Sequence, residues 1–301
     1  MKVSKKICVI IMAGMLLLTA CTVTSNPGAS KEEGTTIVTS FYPIYLHTIN
    51  ITKGIDGIEV INMTQPQTGC LHDYQLSPDN IKTLESADLF IINGGGMEGF
   101  MDKLLSQIKD LKVIDASENI KLLEGEDGHD ANPHVWVSIS GAIEQVDHIA
   151  KELGRFDEAN KELYSKNARE YIEKLEKLKK EMHESLDNLP NKNIITFHEA
   201  FPYFAQEFDL NIVATITEEA NLEPSAKDLA DIISTIEDNK VKAIFIEPQF
   251  TSKSPDLISK ESGLGLYSLD PIVTGDTTNN IEDDYINKMR ENLKVLEEAL
   301  K

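Results

Sequence analysis

From about residue 35 onward, short apolar runs alternate with stretches whose apolar positions recur every three or four residues. The runs at 36–40, 58–63, 89–93 and 113–116 read as strands, and the helical spacing falls between them, for example over 78–87 and 98–108. The alternation pauses after 116. It resumes with strand-like runs at 193–197, 211–216, 241–247 and 266–269, with helical stretches such as 224–238 between them and a last helix over about 281–300. Strand–helix alternation implies mainly parallel sheets flanked by helices, and two such series imply two α/β lobes.

Between the two series lies a long polar stretch, roughly 157–188. Its apolar positions are Tyr164, Ala168, Tyr171, Leu175, Leu178, Met182 and Leu186, one stripe at helical spacing. No Gly or Pro interrupts it before Pro190. A single stiff helix joining the lobes is predicted, and it restricts hinge motion between them.

The N-terminus has a different pattern. Lys2, Lys5 and Lys6 precede an apolar run over 7–18 and then Leu18-Thr19-Ala20-Cys21. The run is shorter than the roughly 20 residues that a membrane span needs. Basic head, short apolar core and small residues describe a secretory signal. The last four residues resemble a bacterial lipoprotein cleavage box, which makes Cys21 the lipidated first residue of the mature chain. Residues 22–34 are small and polar and read as a tether. The expected organisation is a signal peptide at 1–20, a tether at 21–34, an N-terminal lobe at 35–153, a linking helix at 154–190 and a C-terminal lobe at 191–301.

Composition narrows the partners. Acidic residues outnumber basic ones 50 to 29, for a net charge of −21. That balance argues against nucleic acid and suits small cations. Cys8 falls in the signal and Cys21 is the lipid site, so Cys70 has no disulfide partner in the mature chain.

Three histidines stand in ligand-like phrases: Leu71-His72-Asp73-Tyr74, Asn132-Pro133-His134-Val135-Trp136 and Phe197-His198-Glu199-Ala200. An acidic phrase, Ser268-Leu269-Asp270-Pro271, follows. Each falls where an apolar run gives way to a loop, and open parallel sheets bind ligands beyond the carboxyl ends of their strands. Converging there, the imidazoles and the carboxylate form a shell for a divalent transition metal. Glu247, in Ile246-Glu247-Pro248, is the alternative carboxylate. It serves equally as a partner that fixes the tautomer of a ligand histidine, or as an acceptor for backbone donors. Glu199 is expected to be turned away from the metal and Cys70 to pack. His47, His148 and His183 fall within helical stretches, and His129 lies in the loop before His134.

These phrases resemble the metal-binding solute receptors of bacterial ABC transporters, the zinc/manganese group. The likeness extends from the lipoprotein box through Ser40-Phe41-Tyr42-Pro43, the Asn132–Trp136 phrase and Phe197-His198-Glu199-Ala200-Phe201-Pro202-Tyr203-Phe204 to Leu269-Asp270-Pro271. Glu223-Pro224-Ser225-Ala226-Lys227-Asp228-Leu229 matches a helix start of that group. The resemblance implies two α/β lobes bridged by one long helix, with His72, His134, His198 and Asp270 as ligands. His at the third position, where manganese-type members carry Glu, implies Zn²⁺, and a Mn²⁺ or Fe²⁺ receptor of the same architecture is the alternative. Borderline-soft imidazoles suit zinc, and carboxylate oxygens suit manganese. Two features depart from the group: the loop before His134 (EGEDGHDAN) is short and acidic, and Leu71 and Gln75-Leu76 flank the first ligand where the group carries Pro and Glu-Pro.

The implied role is a monomeric, lipid-anchored extracytoplasmic receptor that delivers zinc to an ABC permease and its ATPase. A secreted zinc hydrolase is the rival from another class. It needs an open metal position, which Asp270 closes, and the sequence has no His-Glu-x-x-His helix.

Overall fold

The computed structural model describes residues 34–64, 74–106, 108, 111–125, 131–216, 225–249, 253–275 and 280–301. The signal, most of the tether and Cys21, Cys70, His72, His129 and Glu223-Pro224 lie outside the described residues.

Among the described residues, eight short strands form two sheets, and every strand pairing is parallel. In the first sheet, β1 (Thr35–Thr39), β2 (Ile58–Asn62), β3 (Leu89–Ile92) and β4 (Lys112–Asp115) run in the order β2-β1-β3-β4. In the second, β5 (Asn193–Thr196), β6 (Asn211–Thr215), β7 (Ala243–Ile246) and β8 (Gly265–Ser268) run β6-β5-β7-β8. All eight predicted strands are present, each within two residues of its expected bounds at either end. The inner strands are apolar along their length (Leu-Phe-Ile-Ile in β3, Ala-Ile-Phe-Ile in β7) because helices cover both faces. In both sheets the strand order reverses at the centre, between β1 and β3 and between β5 and β7. Such a reversal opens a crevice beyond the strand ends.

The helices are α1 (Tyr42–Thr52), α2 (Pro78–Glu85), α3 (Asp102–Leu105), α4 (Ile139–Phe156), α5 (Lys161–Leu186), α6 (Pro202–Phe208), α7 (Ala226–Asp238), α8 (Ser254–Ser262) and α9 (Asp284–Leu300). Ser77 and Ser225 open α2 and α7 with reciprocal side-chain caps to Asn80 and Asp228. The third helix is shorter than the 98–108 pattern predicts. The Glu98 carboxylate folds back onto the N–H groups of Asn93 and Gly94, and a 3₁₀ turn over Gly99–Met101 precedes α3.

The linking helix α5 has 26 residues, about 39 Å at ~1.5 Å per residue. Tyr164, Ala168, Tyr171, Leu175, Leu178, Met182 and Leu186 are all buried, as their spacing predicts. It starts at Lys161 rather than near 157. The Asp157 carboxylate accepts from the Tyr164 hydroxyl at 2.9 Å and from the Asn160 amide at 2.7 Å, which holds a 3₁₀ turn over Glu158–Asn160. The stripe of α5 packs on α1 and α4 from the first half and on α9 from the second. One hydrophobic core therefore runs through both sheets, from Ile37 and Ile44 through Leu175 to Phe204, Phe245 and Tyr285. Polar ties add to it: Tyr42 Oη donates to Asp284 Oδ2 at 2.7 Å and Asn50 Nδ2 to the Glu282 carbonyl at 2.8 Å. No described helix is long and apolar enough to cross a membrane.

Candidate metal centre

The crevice of the second sheet carries His198 and Glu247. His198 lies two residues beyond β5, and Glu247 is the first residue beyond β7, so the central strands of the sheet present them side by side. The His198 Nδ1 and Glu247 Oε1 atoms are 2.5 Å apart, and Glu247 is only 5% exposed. Its other oxygen accepts from the Gln249 amide. The buried carboxylate thus fixes the ring, with the proton on Nδ1 and the lone pair on Nε2.

His134 is brought in by the first half. At the end of β3, Gly94, Gly95 and Gly96 all have positive φ. A Cβ on Gly94 would fall 1.7 Å from Asp115 Oδ1, so only glycine fits. Asn93 then reaches over this turn, and its Nδ2 donates to the Pro133 carbonyl at 2.9 Å. Gln145 Nε2 of α4 donates to the Asn93 side-chain oxygen Oδ1 at 2.9 Å. Glu98, 3% exposed, ties the turn through Asn93 and Gly94. Burial pushes its carboxyl up to about 7.

Asn132 sets the His134 ring. Its Oδ1 accepts from the His134 backbone N–H at 2.9 Å, and its Nδ2 donates to the Glu199 carbonyl at 2.9 Å. The amide orientation is therefore determined. His134 Nδ1, 3.0 Å from the same Oδ1, must carry a proton, and Nε2 again holds the lone pair.

The two rings meet edge to face, with centres 4.9 Å apart and planes at 86°. Two imidazoles on one tetrahedral zinc place their centres about 5 Å apart, taking a ~2.0 Å bond plus ~1.1 Å from nitrogen to ring centre. The observed pair fits that requirement. Among the described residues no three His, Cys, Asp or Glu side chains gather as a cage. His134 and His198 are together, Asp270 bonds to α9 and to the Ile272 N–H, and His72 lies outside the described residues.

The Asp270 loop is nonetheless tied to Trp136, which packs on His134. Trp136, fully buried, donates from Nε1 to the Pro271 carbonyl at 2.7 Å, and its ring lies 5.2 Å from that of His134. Asp270 Oδ2 pairs with Lys288 Nζ at 2.6 Å, and Oδ1 accepts from the Ile272 N–H at 2.7 Å.

Further residues of the second half bolt down the 132–138 loop. Tyr203 Oη donates to the Asn132 carbonyl, and Tyr285 Oη to the Trp136 carbonyl, each at 2.8 Å. The Glu207 carboxylate accepts from the Ile139 and Ser140 N–H groups at 2.7 and 3.0 Å, capping α4 from α6. The Glu199 carboxylate accepts from Asn132 Nδ2 at 3.2 Å.

Sequence reasoning missed Asn93, Glu98, Glu207 and Lys288. The Gly94-Gly95-Gly96 run after a strand was the available signal for the first two. Of the other described histidines, His47, His148 and His183 lie in helices, as predicted. His47 is fully buried in α1 between the rings of Tyr171 and Tyr285, His183 pairs with Asp187, and His148 on α4 sits beside Asn119.

Comparison with known proteins agrees with this architecture. The chain is 33% identical over 282 residues to the zinc-binding lipoprotein AdcA of Streptococcus pneumoniae, covering 87% of this chain and 55% of that protein. It thus spans about half of that relative. The crystal structure of Zn(II)-bound AdcA superposes with a TM-score of 0.77, covering 88% of this chain and 57% of the other. The high-affinity zinc uptake system protein ZnuA of Bacillus subtilis is 31% identical over 97% of this chain and 96% of its own length. The solute-binding protein FpvC of Pseudomonas aeruginosa, solved with Mn²⁺, is 31% identical with a TM-score of 0.77, over 88% and 98% of the two chains. Residues 37–299 match the family described as zinc-uptake complex component A, periplasmic (ZnuA), and the chain belongs to that family.

Proposed function

We propose that this protein is an extracytoplasmic receptor that captures Zn²⁺ between its two α/β lobes and passes it to an ABC permease driven by its ATPase. The observation that carries the reading is the His134–His198 pair. Two buried acceptors, Asn132 and Glu247, orient both lone-pair nitrogens, and the ring separation suits one tetrahedral ion. His72 supplies the third imidazole and Asp270 the carboxylate. Three neutral nitrogens and one negative oxygen suit zinc better than manganese or iron. With four protein ligands no position remains for an activated water, so the site binds and releases rather than catalyses.

The zinc-binding AdcA and the zinc-uptake ZnuA of the comparisons support this choice of metal. The lobes divide as 35–153 and 191–301, joined through 154–190. Cys21 carries a lipid that anchors a monomer to the outer side of the cell membrane. Because α6, α9 and the Asp270 loop all grip the 132–138 loop, His134 is positioned as much by the second half as by its own. Release must then break bonds that span both halves.

Elemental analysis of the purified protein beside a His198→Ala variant tests the reading. One zinc per chain is expected in the first and a large loss in the second. Equal zinc in both would refute it.

A further inference from the structure

Lys288 and Asn292 stand one turn apart on α9, whose neighbouring positions Tyr285, Ile286, Met289, Leu293 and Leu296 are buried and apolar. Both polar residues serve Asp270. Asn292 brackets its backbone, accepting from the N–H at 2.8 Å and donating to the carbonyl at 2.7 Å. Lys288 holds carboxylate Oδ2 at 2.6 Å. The side chains of Lys288 and Asp270 are 18% and 16% exposed, so water and salt screen the pair weakly.

The turn that follows is constrained. Ile272, fully buried and β-branched, sits at φ +61 in the left-handed region, and its N–H is held by Asp270 Oδ1. Pro271 is pinned by Trp136, two residues from His134. Asp270 thus has one oxygen spent on its own turn and the other on an ammonium ion, and its loop is tied through Trp136 to the ring of His134.

We propose that Lys288 is a specificity-determining residue: its ammonium is the cation that an incoming metal must displace from Asp270. This rests on Asp270 being the carboxylate ligand of the proposed site. The Oδ2 lone pairs cannot serve both cations at full strength, and a displaced ammonium held nearby repels the divalent ion that replaces it. The competition does not fall equally on all metals. Zn²⁺ draws most of its binding from imidazole nitrogens, whereas Mn²⁺ depends on oxygen donors. Weakening the one carboxylate therefore disfavours Mn²⁺ more than Zn²⁺. Lys288 sharpens a preference that the three histidines begin.

The test is titration of Zn²⁺ and Mn²⁺ into wild type, Lys288→Met, Asp270→Asn and the double variant, with thermal unfolding to confirm folding. Lys288→Met is expected to tighten Mn²⁺ on the order of tenfold and Zn²⁺ by clearly less, the size of one partly screened charge contact. In the Asp270→Asn background the same substitution should leave the Zn²⁺/Mn²⁺ ratio unmoved. A folded Lys288→Met protein with an unchanged ratio, or with weaker binding of both metals, overturns the proposal.

Amine-selective acetylation read by mass spectrometry needs no variant. Lys288 of the wild type should become more reactive when Zn²⁺ is added, and unchanged reactivity also overturns the proposal. If Asp270→Asn binds both metals as wild type does while His198→Ala loses zinc, this inference fails together with the Asp270 ligand, and the histidine pair stands. If His198→Ala keeps full zinc affinity, the underlying site reading fails.

Discussion

Two buried groups of opposite sign should shape how stability depends on pH. His47 is fully enclosed among apolar and aromatic neighbours, and burial pushes its imidazole down from 6.5 to about 3. Its contribution is complete above pH 6.5. As pH falls toward 3, the unfolded chain takes up a proton that the native state refuses, and stability declines by about 1.4 kcal/mol per pH unit. At pH 5 the loss is about 2 kcal/mol.

Glu98 behaves inversely. Burial raises its carboxyl from 4.5 to about 7, so its contribution is complete below 4.5 and is lost as pH rises through 7, again by about 1.4 kcal/mol per unit. Between pH 4.5 and 6.5 the two slopes oppose each other and nearly cancel. Each substitution should therefore unmask the other group. Relative to wild type, His47→Leu should gain stability steadily as pH drops from 6.5 to 4.5, by about 3 kcal/mol in all. Glu98→Gln should lose stability over the same window. Urea unfolding of metal-free protein at several pH values measures both. A His47→Leu difference that stays constant from pH 7 to pH 4.5 would refute the reasoning.

Other expectations follow from single contacts. Glu247→Gln should weaken zinc binding by roughly 10- to 100-fold with little change in unfolding temperature, because it frees the His198 ring rather than removing a ligand; isothermal titration decides. Glu207→Ala leaves the Ile139 and Ser140 N–H groups uncapped and should cost about 1–3 kcal/mol by urea unfolding, and a smaller loss than Gln206→Ala would show that the contact is idle. Trp136 is the sole tryptophan, packs on His134 and donates to Pro271, so its emission should change on zinc binding. A silent titration with confirmed binding would contradict that placement.

What the sequence made legible, and what it hid, divides along local and non-local lines. Strands such as Leu89–Ile92 and Ala243–Ile246 were readable because burial on both faces makes them continuous apolar runs. The stripe from Tyr164 to Leu186 was readable because one face of a helix repeats. The first turn of that helix was not, since Asp157 caps through Tyr164 by a side-chain contact with no periodic trace. The bonds of Asn93 to Pro133, Tyr203 to Asn132 and Lys288 to Asp270 join segments far apart in the chain. Nothing in the local pattern marks them, although two polar residues one turn apart in the apolar face of α9 were a signal for the last. His134 and His198 were identifiable as ligand candidates and Glu247 as an orienting partner, but the hold of Asn132 on the His134 ring was visible only in the fold.

The central claim is that nitrogen donors from both halves of the chain hold one zinc ion. Zinc K-edge X-ray absorption of the loaded protein addresses it directly. The account predicts a four-coordinate shell with the multiple-scattering signature of three imidazoles and one oxygen ligand. A sulfur scatterer in the shell, or fewer than two imidazoles, would contradict it.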